Sequence, residues 1–264
     1  MKAIKYFLII AIMFVGSAYT NQTNQFAKLR NNSNQAFTYG EELKYRVHYG
    51  WINAASIRIK IADKPVKIKG RSTYNITAYG RTFRSFDWAY KVRDHFETYL
   101  DSQSIAPLKY YKNVQEDNYK DEDLVYYDHE KKWMTGTKKS MTIPAYLQDL
   151  VSGMFYARTL DLQNAQVGET FPLDIYLDQE IYNLKFKYMG KETLRTDVGK
   201  VKCIKLIPQL VVDRVFKDED DMTVWVSDDA NKIPVRVKAE IYVGSVKVDL
   251  TSYKGLKNNF SSKL

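Results

Sequence analysis

The chain has 264 residues, a formal net charge of +9 and a hydrophobic content of 45%. This length suits one domain or two small ones, and the apolar content is sufficient for a packed core, which excludes a largely disordered chain. The single cysteine, Cys203, excludes an internal disulfide. Because Cys203 lies in an alternating run from Val201 to Ile207, we expect a buried structural thiol rather than a nucleophile.

The N-terminus has the pattern of a secretory signal peptide. Lys2 and Lys5 precede an apolar run from Tyr6 to Val15, and small residues follow up to Ala18. The pattern predicts a signal peptide over residues 1–20 that directs Sec export. The run is shorter than the roughly 20 apolar residues that a membrane span needs, and no cysteine lies near the cleavage site. We therefore expect a periplasmic or, alternatively, secreted protein that is neither lipid-anchored nor transmembrane.

Composition divides the mature chain into three parts. The Asn- and Gln-rich residues 21–36 are typical of a flexible tether, residues 37–257 of one β-rich domain, and residues 258–264 of a C-terminal tail. Loss of Lys2 and Lys5 with the signal peptide leaves a charge of +7. In an exported protein this excess favours anionic envelope components, including a membrane surface, over nucleic acid, and a basic face that is simply solvated is the simpler alternative. The sequence does not indicate an oligomeric state.

Alternation of apolar and polar residues dominates from Leu43 onward. Leu43, Tyr45, Val47 and Tyr49 alternate with polar residues, which is typical of a half-buried strand. The same pattern predicts strands over Ile57–Ile61, Tyr74–Ala78, Phe86–Val92, Leu108–Tyr111, Phe171–Leu177, Tyr182–Tyr188, Val201–Ile207, Met222–Val226, Val235–Val243 and Val246–Leu250.

Short polar connections separate the later strands. They lie at residues 178–180, 197–200, 228–231 and 244–245. Links of this length predict antiparallel hairpins, because parallel strands need long crossovers.

One segment has helical periodicity. Its apolar residues follow the spacing i, i+3, i+4, i+7 and i+8: Leu147, Leu150, Val151, Met154 and Phe155. The spacing predicts a single amphipathic helix that begins near Pro144, with Gln148 and Asp149 on its polar face. Gly153 lowers helix propensity by about 1 kcal/mol and indicates either close packing or mobility at that point.

The predicted helix is too small to cover the predicted sheet. About ten strands at about 4.8 Å make a sheet near 50 Å wide, whereas a helix covers only about 10 to 12 Å. The fold class is therefore mainly β, a large curved antiparallel sheet (half-barrel or sandwich) with one amphipathic helix. A concave apolar side that the helix leaves unfilled is a candidate ligand cavity, with the helix as its gate. The predicted ligand-binding residues are Leu147, Leu150, Val151, Met154, Phe155, Tyr45, Tyr49 and Trp225.

The sequence contains no complete motif for catalysis or metal binding. His129-Glu130 begins like a zinc-protease motif, but Trp133 stands where the second histidine is needed. The acidic runs 121–123 and 218–221 lack the spacing of a calcium loop and favour solvated turns. We therefore predict no catalytic residue, no metal and no cofactor.

Several stretches resemble the exported bacterial family called domain of unknown function 3108. They are YGEELKYRVHYG from Tyr39, VRDHFETYLD from Val92, YLQDLVSGMFYAR from Tyr146 and DDMTVWVSDDANKIPVRVKAEI from Asp220. The resemblance covers roughly residues 37–256 and implies an envelope protein of unassigned activity. A large curved sheet closed by a helix is also similar, at the level of fold, to Lol-type lipoprotein-carrier half-barrels, which implies an acyl-binding cavity.

Three functions follow from these patterns. The first is a non-enzymatic envelope protein that binds a lipid, lipoprotein or other amphiphile in an apolar half-barrel. The alternative is an envelope scaffold that binds a protein or glycan through a face rich in tyrosine and lysine. The third is a wall or glycan hydrolase, which would require Asp87, Asp94, His95 or Glu97 to cluster with another carboxylate in a cleft.

Overall fold

A computed structural model of the protein describes residues 29–210, 222–240 and 244–264. The predicted signal peptide, the first part of the predicted tether and the acidic run 218–221 lie outside these residues. The described chain contains fifteen strands and one helix.

Nine strands precede the helix and six follow it. The first nine are β1 Glu42–Tyr49, β2 Ile52–Ile61, β3 Val66–Ile68, β4 Arg71–Thr82, β5 Arg93–Asp101, β6 Pro107–Glu116, β7 Tyr119–Asp128, β8 Trp133–Gly136 and β9 Ser140–Thr142. Helix α1 is Leu150–Ala157, and the later strands are β10 Thr170–Leu177, β11 Glu180–Thr196, β12 Gly199–Leu210, β13 Met222–Ser227, β14 Pro234–Glu240 and β15 Ser245–Lys254.

All strands belong to one open antiparallel sheet. Its order is β10-β11-β12-β13-β14-β15-β1-β2-β4-β5-β6-β7-β8-β9, and β3 pairs with β4. Two meanders, one on each side of the helix in sequence, are joined where β1 pairs with β15 along its length. The predicted fold class, a mainly β protein with a large curved antiparallel sheet and one helix, is confirmed.

Turn chemistry explains the predicted hairpins. Asp178 and Gln179 between β10 and β11 both have positive φ, 48° and 68°. These values match the two-residue turns whose twist suits paired strands. The hairpin's register, Leu177 opposite Glu180, agrees with the predicted connection.

One predicted strand is wrong, and five observed strands, β3, β5, β7, β8 and β9, were not predicted. Residues 84–89 form successive turns, in which the amides of Phe86 and Asp87 donate to the carbonyl of Phe83, and Val92 makes only an isolated bridge to Glu116. The aromatic alternation there belongs to the β4–β5 connection rather than to a ladder. Strands β5 and β7 were missed because polar side chains occur on both of their faces.

The connections define two ends of the sheet. The β1–β2, β4–β5, β6–β7, β8–β9 and β10–β11 connections lie at what we call the upper end. At the lower end lie the N-terminal segment 29–41, the C-terminus of α1, the β13–β14 turn and the tail 255–264.

The helix begins later than predicted. Asp149 is its N-cap: the side chain accepts from the amides of Val151 and Ser152 at 2.9 and 2.8 Å. The assignment of Gln148 and Asp149 to a polar, outward face is wrong, since both are fully buried. A carboxylate that caps a helix must lie at its end, which moves the first turn beyond Leu147.

Gly153 allows close approach between the helix and β10. A Cβ at this position would lie 3.4 Å from Leu173 and 3.6 Å from Ile175. The expectation of close packing at this glycine is confirmed. The helix backbone at Gly153 therefore packs directly on the side chains of Leu173 and Ile175 of β10.

A buried ion pair fixes the helix to the lower end. Arg158, its C-cap, donates to both carboxylate oxygens of Glu41 at 2.6 and 2.9 Å, and both side chains are 1% exposed. The same guanidinium donates to the carbonyls of Ala36 and Asn231. Three segments distant in sequence thus meet at one side chain.

The described part of the predicted tether is attached to the domain. Arg30 donates from its backbone to the hydroxyl of Tyr146, and Ala36 is buried. The predicted tail is also bound, because the amide and hydroxyl of Ser262 donate to Asp229. Residues 29–36 and 258–264 therefore close the lower end instead of forming flexible extensions.

The sheet rolls so that β10 packs against the inner face of the opposite end. Tyr176 of β10 packs with Tyr110, Tyr127 and Met134 of β6, β7 and β8. Its hydroxyl donates to Asp123 at 3.1 Å. Beside it, the backbone of Gln148 pairs in parallel with β10. The roll is thus held by side chains and by the segment before the helix, while the strand ladder stays open.

Replacing Glu41 by glutamine should destabilise the protein strongly. The substitution leaves the buried Arg158 charge uncompensated, so we expect the free energy of unfolding in urea to fall by about 3 to 5 kcal/mol. The control is Asp63→Asn, which removes an exposed ion pair with Lys60 and should cost less than about 1 kcal/mol. Equal losses in the two variants would contradict the anchoring role of the buried pair.

Stability should also depend on pH through Asp149. Burial raises the pKa of this carboxyl to about 6, despite the donors that face it. The folded state therefore holds a proton that the unfolded chain releases near pH 4, so stability falls as pH rises from about 4 to about 6. Relative to Asp149→Asn, the native chain should lose about 3 kcal/mol of unfolding free energy over that interval. A difference between the two proteins that stays constant with pH would refute this assignment.

Candidate functional site

The lower half of the rolled sheet is filled. Phe155 packs edge-on against Phe37 with ring centroids 4.9 Å apart, and both rings are fully buried. Leu43, Ile61 and Leu250 complete the same cluster. This packed floor leaves the helix no room to move as a gate without breaking core contacts.

The predicted ligand-binding residues are divided between core and surface. Val151, Phe155, Tyr45 and Trp225 belong to the main core cluster, with Met154 at its margin. Leu147 precedes the helix and is buried in the β6–β8 cluster. Leu150 is 43% exposed at the start of α1, and Tyr49 is exposed at the upper end of β1. The structure thus gathers most of these residues in the floor and places Tyr49 far from them along β1.

Above the floor, an apolar row continues along the same inner face. Val224 lies opposite Val237, Val237 opposite Val248, Val248 opposite Val47, and Val47 opposite Ala55. All five side chains are only half-buried. In contrast, Tyr45 and Leu250, two residues further toward the floor on β1 and β15, are nearly inaccessible. We call these five residues the valine ladder.

The valine ladder was visible in the sequence only in part. Val47 and Val224 lie in runs that predicted strands, and their alternation predicts an inner face. The sequence did not show which part of that face the helix leaves uncovered. That depends on the contact between Arg158 and Glu41, which are 117 positions apart.

A charged cluster lies across the interior from the valine ladder. Lys112 contacts Asp121 at 2.6 Å and Asp178 at 2.8 Å, and Lys138 also pairs with Asp121. The run 121–123 is not a solvated turn as expected, because Asp121 and Asp123 are buried on the inner face of β7. Alternation of Asp121, Asp123, Val125 and Tyr127 was the available signal for this face.

The cluster also shifts the pKa of a tyrosine. Burial, together with the neighbouring Asp123, raises the pKa of Tyr176 well above its usual value. The hydroxyl therefore stays protonated and donates to Asp123 at neutral pH. The cluster links β6 and β7 to the β10–β11 hairpin at the upper end, and it gives the interior one polar wall.

An open groove of about 830 Å³ runs along β15, β1, β2 and β4. At its lower part, the nearly buried Glu42 holds three exposed cations, Lys44, Arg58 and Lys254. Toward the upper end it reaches Arg81 and Phe83. Cations outnumber carboxylates along the whole groove.

The residues that would support a hydrolase are not brought together. Asp94 lies on the inner face of β5 opposite Gly80, whereas His95 stacks on Tyr79 at 4.3 Å on the outer face. Asp87 is paired with Arg93, and Glu97 accepts from Asn75. No shared cleft is formed by these side chains.

Cys203 and Trp225 have structural environments. Cys203 is fully buried, as predicted, and burial raises the pKa of its thiol to about 12. The indole N–H of Trp225 donates to Glu192 at 2.6 Å. A thiol with this pKa is not a nucleophile at neutral pH.

No helix among the described residues is long and apolar enough to span a membrane.

Similar folds are found among solved structures. A β-barrel-like protein of the domain of unknown function DUF1849 from Brucella abortus aligns over 83% of this chain and 99% of its own, with a TM-score of 0.55 and 9% identity. A putative lipoprotein from Parabacteroides distasonis aligns over 86% and 100%, with a TM-score of 0.36 and 10% identity. A putative exported protein with a YmcC-like fold from Bacteroides fragilis aligns over 83% and 97%, with a TM-score of 0.39 and 8% identity. The first likeness shows a shared β-barrel-like fold.

Sequence comparison gives the family. No curated protein matches the chain. The model of the family described as "Protein of unknown function (DUF3108)" matches residues 44–251, most of the chain and nearly the whole of the rolled sheet. The protein therefore belongs to the DUF3108 family.

Proposed function

We propose that this protein is an exported, non-enzymatic envelope protein that holds an acyl-bearing amphiphile in the upper half of its rolled sheet. The observation that carries the proposal is the valine ladder, an apolar inner surface that remains half-exposed above a fully packed floor. A concave apolar surface with one polar wall is the usual form of a small-molecule site. The N-terminal signal-peptide pattern supports export.

The dimensions and energetics of the ladder suit an acyl chain. Its residues lie on five adjacent strands, and four spacings of about 4.8 Å give a length of about 19 Å. Each methylene buried there would contribute about 0.8 kcal/mol, so a chain can bind without specific polar contacts. Specificity for the head group would then come from charged residues at the upper end, such as Lys112.

The cargo is tested on protein purified from its native envelope. Native mass spectrometry should detect a stoichiometric adduct, and solvent extraction followed by lipid analysis should identify an acyl-containing molecule. A protein that carries no adduct, and stays empty after incubation with envelope lipids, would overturn the proposal.

Blocking the valine ladder should abolish uptake without unfolding the protein. Ala55→Trp fills the space beside Val47, and we expect at least about a tenfold weaker affinity for a fluorescent fatty acid, which equals about 1.4 kcal/mol. Val47→Glu should have a similar effect because a charge would face the acyl chain. Leu124→Glu is the matched control, because Leu124 lies opposite Tyr111 on the outer face.

These variants separate binding from stability. Urea unfolding of each variant shows whether the fold is intact. Undiminished probe binding by a folded Ala55→Trp protein would exclude the valine ladder as the site. An equal loss of binding in the Leu124→Glu control would do the same.

One observation favours a second function, glycan or protein binding on the outer face. Tyr79 stacks on His95, and Lys109 lies 5.0 Å above the ring of Tyr99 and 5.8 Å above that of Tyr126. Aromatic faces flanked by polar groups suit sugar stacking. A glycan or protein adduct in the native mass spectrum, with an empty ladder, would favour this function over the first.

A further inference from the structure

Two tryptophans are almost completely exposed, and both lie at the upper end. Trp51, in the β1–β2 turn, is 90% exposed, and Trp88, in the β4–β5 connection, is 86% exposed. A single exposed apolar side chain is common, but a group of large exposed apolar side chains marks an interaction surface. Their position requires an explanation that core packing does not give.

The two connections are adjacent and carry further apolar side chains. The amide of Phe83 donates to the carbonyl of Ala54 at 3.0 Å, which joins the β4–β5 connection to the start of β2. Ile52 and Phe83 are exposed beside the tryptophans. We call Trp51, Ile52, Phe83 and Trp88 the aromatic rim.

The rim is positioned before any partner arrives. The indole N–H of Trp88 donates to the carbonyl of Ser85 at 3.0 Å, while its ring remains in solvent. Successive turn hydrogen bonds, including the one from Ala89 to Phe86, fix the loop that carries it. An amphipathic ring held in this way needs little ordering when it enters an interface.

Cations adjoin the aromatic rim. Arg81, Arg84 and Arg93 line a recess of about 440 Å³ together with Thr82 and Phe83. Arg93 is paired with Asp87, whereas Arg81 and Arg84 form no ion pair within the described part of the chain. Residues 81–93 contain four cations and one carboxylate.

We infer that the aromatic rim docks the upper end of the sheet onto a membrane surface that carries anionic lipid. Tryptophan side chains suit the boundary between head groups and acyl chains. The unpaired arginines face lipid phosphates, whose negative potential attracts basic residues near the surface. An aqueous protein partner of ordinary charge would not need two projecting tryptophans beside unpaired cations. This docking does not require that the valine ladder bind cargo.

The test uses the mature protein and vesicles of two compositions. In flotation experiments the protein should associate with vesicles of phosphatidylethanolamine and phosphatidylglycerol, and weakly with phosphatidylcholine alone. Raising salt from about 0.1 M to about 1 M should weaken association, because the Debye length falls from about 10 Å to about 3 Å. Equal binding to both vesicle types with no dependence on salt would show that Arg81 and Arg84 do not attract the protein to anionic lipid, and it would contradict the proposal.

Variants locate the contact. Trp51→Ala combined with Trp88→Ala, and Arg81→Gln combined with Arg84→Gln, should each weaken association about tenfold or more. The matched control combines Lys131→Gln, Lys132→Gln and Trp133→Ala, which removes two lysines and an exposed tryptophan from the lower end. Both kinds of variant alter exposed side chains, and their unfolding in urea should match that of the native protein.

Either of two results would overturn the inference. One is undiminished flotation of the rim variants, and the other is an equal loss in the lower-end control. If the double tryptophan variant unfolds more easily, Trp51→Ala and Trp88→Ala are measured singly. Because Trp133 and Trp225 remain in both proteins, the contact is assigned from the quenching by brominated lipid that each substitution removes. The Ala55→Trp protein should still float, which separates failure of docking from failure of cargo binding.

Discussion

The buried pair between Arg158 and Glu41 determines where helix α1 lies, and the rest of the interior follows from that position. Two charges that are 1% exposed are stable only when their hydrogen bonds are completed, and the carbonyls of Ala36 and Asn231 complete those of the guanidinium. At the other end of the helix, the carboxyl of Asp149 accepts from the hydroxyl of Thr98 on β5. Both ends of the helix are therefore tied to the sheet, and it cannot slide along the interior.

A helix fixed in this way fills only part of the roll. Eight residues at about 1.5 Å each give a length of about 12 Å, much less than the width of a fifteen-stranded sheet. Gly153 lets the helix pack closely on Leu173 and Ile175 of β10. The apolar face of the helix is therefore buried within the floor and covers nothing above it. The inner face above the floor is only partly covered: Val248 packs at the margin of the main core cluster and Val224 beside the cluster that contains Leu206. The valine ladder is thus left half-buried because the helix is short and because the Arg158–Glu41 pair holds it at the lower end. No sequence motif within the ladder itself is required.

Local pattern predicted the strands whose two faces differ in polarity, and it failed where they do not. Strand β7 carries Asp121 and Asp123 on the inner face, so its charges suggested a solvated turn. Inside the roll, Asp121 is paired with Lys112 and Lys138, and Asp123 accepts from the hydroxyls of Tyr176 and Thr137. The run 86–92 has the opposite difficulty, because its aromatic alternation imitates a strand while its amides close turns. The helix was predicted from its spacing, but its start was not, since burial of Asp149 as a cap depends on Thr98.

The sequence predicted the candidate site less well than the fold, because the site depends on contacts between distant segments. Apolar residues at Val47, Val248 and Phe155 look alike in an alternating or helical pattern, and only their contacts separate floor from uncovered surface. Those contacts depend on pairing between distant segments, as between β1 and β15. The exposure of Trp51 and Trp88 could not be predicted, because tryptophans in turns follow no periodic pattern that distinguishes an exposed side chain from a buried one.

The valine ladder and the aromatic rim meet at β1 and β2, and this links the two proposed surfaces physically. Val47 and Tyr49 are separated by one residue on β1, and Trp51 follows in the turn. On the neighbouring strand, Ile52 precedes Ala55 by three residues. An acyl chain leaving a bilayer at the rim would therefore meet apolar side chains from the membrane boundary to the packed floor. The cost of exposing its methylenes to water, about 0.8 kcal/mol each, would be avoided along that path. A rigid floor, an uncovered apolar wall and an amphipathic mouth together suit transfer at a surface without any movement of the helix.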